Sequence, residues 1–373
     1  MKVAIFCSLA LAISVLLSCT SPTGPGGGTA DAGTNTIGQA CKVTLNSSGN
    51  LYITGFVGTS SNANKPCYWK DGVLCDLSIG SGYSFGQASG ITIGSGSVYI
   101  VGSRGASSSS TQPCYWQLPY KGAEALPMES GSSYGESLGI GVDSSGEFYA
   151  VGCIGSSSSA VTPCLWYQDI DADTPLPLGS GNTYGRSCDF MQHTPTTIYC
   201  TGCVGTDGGS VVPCCWTNGL GPGFLPLDAG DIFGEARGIV YSSPHSYIAG
   251  VTGTSSSSVL PCYWVLGAGT VSILPLESGD TYGEANGMAA SSTDIYIAGS
   301  TGSSSNYVKA CYWLNGGICA LPMGSSNAYG QAIGVAVDSS GNVFISGFVG
   351  TSSTSAVPCY WKNGTLVPLP MNS

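Results

Sequence analysis

The chain has 373 residues, 57 of them glycine, and a formal net charge of −11 with only 8% charged residues. Average domains carry about 7% glycine and about a quarter charged residues, so this is a turn-rich, all-β composition. Its ten Lys and Arg are scattered, which excludes the basic patch that nucleic acid needs and a polybasic stretch for a membrane surface.

Residues 1–18 carry one early charge, Lys2, and then an apolar run too short to be read as a spanning helix. The run ends Leu16-Leu17-Ser18-Cys19. It resembles the lipobox of bacterial lipoprotein signal peptides, which implies cleavage before Cys19 and lipidation of that residue. The plainer alternative is an ordinary cleaved signal peptide, with Cys19 incidental. Two or more acyl chains on Cys19 would hold the protein stably at a membrane, where one would not. Residues 19–37 are rich in Gly, Pro and Thr without apolar period and read as a flexible tether, with a reach of roughly 23 Å.

From residue 38 onward the chain repeats. Its seven tryptophans, Trp69, Trp116, Trp166, Trp216, Trp264, Trp313 and Trp361, follow one another at 47, 50, 50, 48, 49 and 48 residues, each in a Cys-x-Trp motif. A fixed period of 40–50 residues signals a propeller or solenoid. The last copy shows the unit: strands over 329–337, 343–350, 359–362 and 365–371, separated by the turn 338–342, a Ser-rich loop at 351–358 and the turn 363–364. Four strands per repeat make a propeller blade. The spacing therefore predicts a single seven-bladed β-propeller over 38–373, a monomer. The last repeat is complete and the first starts at its own inner strand, so no strand is exchanged between the termini.

These repeats resemble two classes found in bacterial surface propellers. GVAVDSSGNVFISG at 334–347 is similar to the SBBP-type repeat, and the Gly-x-Val-x-Gly, aromatic-x-Trp and Leu-rich strands resemble the HAF-type extracellular repeat. The resemblance implies the fold and an extracytoplasmic setting, and no activity. The chain departs from the HAF-type pattern in placing Cys67, Cys114, Cys164, Cys214, Cys262, Cys311 and Cys359 two residues before the tryptophans. Cys and Trp at i and i+2 share one strand face, so these thiols read as small buried hydrophobes. Equivalent positions in adjacent blades lie too far apart for a disulfide. Cross-strand bridges 153–164 and 203–214 stay open in an oxidising compartment.

The connection from each fourth strand to the next first strand should share a face with the Ser-rich 2–3 loops, around the channel mouth. It ends in an aromatic–Gly–polar triplet in six copies, with Ile37-Gly38-Gln39 in the first. The polar residues run Gln39, Gln87, Glu136, Arg186, Glu235, Glu284, Gln331 around the ring. They read either as loop anchors or as a polar ring for a cation or a polyhydroxyl ligand. Three residues further on, most copies have Gly, but the first has Lys42 and the fourth Asp189. Such inner-strand charges need a partner or water.

Other chemical signals are thin. Residues 169–173, Asp-Ile-Asp-Ala-Asp, open like a calcium loop, but the sixth position is Thr174 and the twelfth Ser180, where such a loop needs Gly and Glu. The stretch reads first as a solvated acidic loop, with a calcium ion as the minor alternative, and no other cofactor is expected. The two histidines, His193 and His245, fall on the face away from the mouth. The sequence points first to a non-catalytic, envelope-anchored lipoprotein, bound to the membrane through lipid on Cys19, that engages a protein or glycan with its loop face. A periplasmic scaffold for envelope assembly is the second reading. A carbohydrate-active hydrolase or lyase using Glu136, Glu235 or Glu284 is the third.

Overall fold

The computed structural model describes residues 37–372, apart from 60–62, 121, 144, 169–172 and 353–354. All regular structure among them is strand. Twenty-eight strands form seven separate antiparallel sheets of four, each paired in simple sequence order. The seven first strands pack side by side around an axis, and that of blade 7, Tyr329–Val337, closes onto that of blade 1, Ile37–Leu45. The protein is a seven-bladed β-propeller whose terminal blades are each complete, as the repeats predict. Cys19, the 1–18 leader and most of the tether lie outside the described residues.

The repeated residues account for each seam. The seven tryptophans are at most 1% exposed, and burying an aromatic of this size removes about 150–250 Å² from water. Each indole Nε1 donates, at 2.7–2.8 Å, to a backbone carbonyl at the end of the previous blade: Trp116 to Ser78, Trp166 to Pro127, and likewise around to Trp361 and Pro322. The residue before each acceptor is a buried Leu whose N–H bonds the residue preceding the motif Cys at 2.7–3.1 Å, as Leu126 does to Pro113. The Leu-Pro pair thus fastens the fourth strand to the third and offers the next blade its acceptor. Blade 1 obtains the same bond from the far end of the chain, Trp69 to Pro370. Two further contacts complete the closure: Gly38 N–H to the Ala356 carbonyl at 2.9 Å, and Ser346 Oγ to the Cys41 carbonyl at 2.8 Å. Ring closure therefore needs no shared strand.

Asn46, Asp143 and Asp338 open the 1–2 turns of their blades, each side chain accepting backbone N–H groups two and four residues on, the local bond that makes Asn and Asp turn residues. The seven motif cysteines are buried. Cys114, Cys164, Cys214, Cys262, Cys311 and Cys359 are free thiols. The two bridges left open by the sequence do not form. Cys164 lies opposite Gly152 and Cys153 opposite Pro163, so the two sulfurs leave the sheet on opposite faces. Cys203 and Cys214 are arranged in the same way.

Candidate functional site

Every first strand carries a register shift at the same place, one residue after the polar position. A bulge adds an unpaired residue and re-aims its side chain. The cause lies in the second strand. Its central glycine, Gly152 in blade 3, faces the carbonyl of the polar residue, and a Cβ there would sit 1.9–2.0 Å from that oxygen in all seven blades. Glycine lets the first strand approach and kink. The bulged residues, Cys41, Ser89, Leu138, Cys188, Arg237, Asn286 and Ile333, form a second tier beneath the polar ring.

The polar ring sits within the wall of the channel. Arg186, Glu235 and Glu284 are at most 2% exposed, Glu136, Gln331 and Gln39 are buried, and Gln87 is half-buried. Arg186 bonds Glu136 of the preceding blade. Glu235 is held instead by Arg237 of its own strand: Nη2 and Nε both reach Oε2, at 2.8 and 3.0 Å. Arg237 Nη1 then bonds Asn286 Oδ1 at 2.9 Å and lies 3.4 Å from Glu284 Oε2 in blade 6. Tyr282 donates its hydroxyl to Glu284 Oε1 at 2.5 Å, and Asn286 Nδ2 bonds the Ala332 carbonyl of blade 7 at 3.0 Å. Burial, reinforced by the neighbouring carboxylates, pushes the Tyr134 and Tyr282 hydroxyls well above their ordinary range, so both stay protonated.

One tier further along, Lys42 Nζ meets Asp189 Oδ2 at 3.2 Å. Blades 1 and 4 stand nearly opposite in a ring of seven, so this ion pair crosses the axis. The two inner-strand charges that needed partners are partners to each other. On the polar-ring side of the pair, a pocket of about 20 Å³ lies between Gln39, Gln87 and Ser89, room for about one water. On the far side a polar cavity of about 130 Å³ opens between the Lys42–Asp189 pair and the backbones of Gly90, Gly139 and Gly287. From the polar ring to the Lys42–Asp189 pair the channel is thus filled by its own side chains, and four carboxylates there face three cations. His193 and His245 lie at the 1–2 hairpins, His193 edge-on to Tyr241 at 4.6 Å. Among the described residues no three His, Cys, Asp or Glu groups gather as a metal site; Asp169 and Asp171 of the calcium-like loop are outside them.

The structure therefore brings Glu235 and Glu284 together, joins Glu136 to Arg186, and leaves the three glutamines on the opposite arc. Sequence comparison missed Arg237, Asn286 and the Tyr282 hydroxyl. The signal was present in the repeat column two residues after the polar position, where Arg237 is the one cation, but its importance depends on the bulge.

No protein-family model and no curated protein matches the chain. Solved structures do. The chain is similar to a polysaccharide lyase, an ulvan lyase, with a TM-score of 0.55 at 8% identity, covering 87% of this chain and 94% of that one. It is similar to YCF48 bound to D1 peptide, with a TM-score of 0.52 at 7% identity and 95% and 99% coverage. It is also similar to the extracellular domain of a hybrid two-component system from B. thetaiotaomicron, with a TM-score of 0.51 at 8% identity, where it covers 86% of this chain but spans only 38% of the other. At these identities the likeness is one of propeller fold, among proteins of varied function.

Proposed function

We propose that the protein is an envelope-anchored lipoprotein, lipidated at Cys19, built from repeats of the HAF and SBBP kind, and that it works as a non-catalytic binding module through its loop face. The observation that carries this reading is the filled axis. The carboxylates best placed for acid–base chemistry, Glu136, Glu235 and Glu284, are buried and held by Arg186, Arg237 and Tyr282. A carboxylate engaged in this way has no route to a polymeric substrate, and a general base must come within hydrogen-bond reach of the proton it takes. Binding then falls to surfaces, and loops displayed on a rigid scaffold are the usual place for it.

Two experiments test the reading. Metabolic labelling with a tritiated fatty acid should mark the wild-type chain and spare Cys19→Ser; equal labelling, or none in the wild type, refutes the anchor. For the face, a bulky polymer is attached by maleimide at Ser257→Cys, in a 2–3 loop, or at Ser243→Cys, in a 1–2 hairpin, on a Cys75→Ser/Cys319→Ser background. Residues 20–373 are then screened on a glycan array and a peptide array. Polymer at 257 should abolish capture and polymer at 243 should leave it; the reverse pattern refutes the loop face.

A further inference from the structure

The seven seams between blades are built alike, so a seam that departs from the repeat stands out. The seam between blades 1 and 2 does so at four places. Where six blades end the fourth strand with Ala125, Pro175, Phe224, Ile273, Ala320 or Pro368, blade 1 has Asp76. Where six have the acceptor proline, it has Ser78. Where the connections carry Ser132, Asn182, Asp231, Asp280 or Asn327, it has Tyr83. Where second strands carry Val, Ile or Thr opposite the triplet glycine, blade 2 has Arg104 opposite Gly86.

These departures meet in space. Arg104 reaches across the seam: Nη1 donates to the Ile79 carbonyl at 3.2 Å and to the Ala123 carbonyl at 3.0 Å. Its guanidinium lies over the Tyr83 ring, 4.7 Å from the centroid, a cation–π contact. Tyr83 donates its hydroxyl to Gln112 Oε1 at 3.2 Å, and Arg104 Nη2 reaches the same oxygen at 3.4 Å. The aromatic ring is thereby fixed before any ligand arrives, which lowers the ordering cost of binding. Beside it, at the loop face, is a cavity of about 340 Å³ with an apolar floor of Pro66, Leu77 and Ile79 and a rim of Lys65, Asp76, Ser78 and Ser84. Small-molecule sites occupy about 300–1,000 Å³ and pair an apolar lining with a few placed polar groups.

We infer that this seam is a saccharide-binding site for one or two neutral pyranose units at the end of a glycan. A pyranose presents a C–H face, which stacks on the electron-rich face of an aromatic ring, and an edge of hydroxyls. Tyr83, which lines the cavity, supplies the first partner through the ring face that Arg104 leaves open. The Asp76 carboxylate accepts from vicinal hydroxyls, and Lys65 donates to a third or to the ring oxygen. On the rim Lys65 and Asp76 offset each other, and the Arg104 guanidinium behind Tyr83 is already taken up by the Ile79 and Ala123 carbonyls, which matches an uncharged ligand. The inference rests on the loop-face reading and narrows it to one seam.

The test uses residues 20–373 with ring-labelled tyrosine and the disaccharides maltose, cellobiose, lactose and chitobiose at millimolar concentration, read by saturation-transfer NMR and by the Tyr83 ring shifts. At least one disaccharide should bind and move the Tyr83 signals. Tyr83→Ala and Asp76→Ala should each weaken it about tenfold or more, while Tyr307→Ala, an exposed tyrosine on blade 6, leaves it unchanged. If Tyr83→Ala does not fold, Asp76→Ala at its strand end carries the test. Binding that survives both substitutions overturns this seam and leaves the loop-face reading standing. Silence from all four disaccharides overturns the saccharide assignment, whatever the polymer-blocking experiment returns.

Discussion

Replacing Arg237 with methionine removes the one cation that serves two buried carboxylates. The side chain is 2% exposed, and it gives two hydrogen bonds to Glu235, one to Asn286 and a 3.4 Å contact to Glu284. Deleting one member of a buried ion pair costs about 3–5 kcal/mol, because the remaining charge keeps its desolvation penalty and loses its compensation. The residues described between 37 and 372, at about 2.1 cal/mol/K each, give an unfolding entropy of about 0.7 kcal/mol/K, so the melting temperature should fall by about 4–7 °C. The triple variant Glu235→Gln/Arg237→Met/Glu284→Gln removes the stranded charges and should recover most of that loss, since a buried ion network replaced by neutral groups is often close to neutral in stability. Scanning calorimetry at pH 7 reads both. An Arg237→Met variant melting within about 1 °C of wild type, or a triple variant melting as low as the single, would refute the account of the axis as a charge network held by Arg237.

Deleting residues 368–373 removes the buried Leu369 and the carbonyl that Trp69 uses. The loss of one Leu and two hydrogen bonds, that of Trp69 and that of the Leu369 N–H to the Pro358 carbonyl, about 2.5–6 kcal/mol, should lower the melting temperature by about 4–9 °C; an unchanged melt would show that the closing seam does not depend on the C-terminal segment. Trp69→Phe and Trp264→Phe should cost the same within error, about 0.5–1.5 kcal/mol each for the indole bond, as read by urea unfolding; a much cheaper Trp69→Phe would mean that the closure bond is not equivalent to the others. Burial pushes the Cys215 thiol up to about 12 and holds Cys214, Cys262, Cys311 and Cys359 well above the ordinary 9.0. A raised native value gives stability that is full below pH 9 and lost as pH rises through the interval up to about 12, so urea midpoints should fall progressively above pH 9. Native thiol counting at pH 8 should register the half-buried Cys75 and Cys319 first, ahead of the equally half-buried Cys41, whose thiol burial pushes up to about 12. The Asn342 side chain, followed by backbone N–H groups, holds the exposed Asp338 carboxyl below its ordinary 3.8; a carbon-detected NMR titration should find its midpoint below that value and its contribution to turn order fading only in more acid solution.

Blade number and closure were legible because they rest on local chemistry repeated seven times. Each Trp, each Leu-Pro and each strand-two glycine does the same job in its own blade, and a column of seven residues reveals it. Glu136, Glu235, Glu284 and Arg186 were legible as a ring for the same reason. Their pairing was not. Whether Arg186 turns to Glu136 or to Glu235 depends on the bulge that lifts Arg237 into the axis, and the bulge is set by two backbones meeting at a glycine, a relation between strands. The Lys42–Asp189 pair needed more still, because its partners are 147 residues apart and meet only once the ring has closed. The Tyr83–Arg104 seam was readable in principle as a set of outliers, but only the fold shows that the outliers are neighbours.

The way the ring closes has a mechanical consequence. Under the anchor proposed above, load would enter the described fold at Ile37, and that residue starts an innermost strand lying along the axis. The strand is bonded along its length to the second strand of its own blade and pinned on its other side to blade 7 through Gly38 and the Cys41 carbonyl. Tension along the axis therefore pulls these bonds in shear, all together, where an outer strand such as Thr365–Pro368 would peel one bond at a time. The strand that the proposed anchor would load is thus bonded on both of its sides, whereas the rim strands lie away from Ile37.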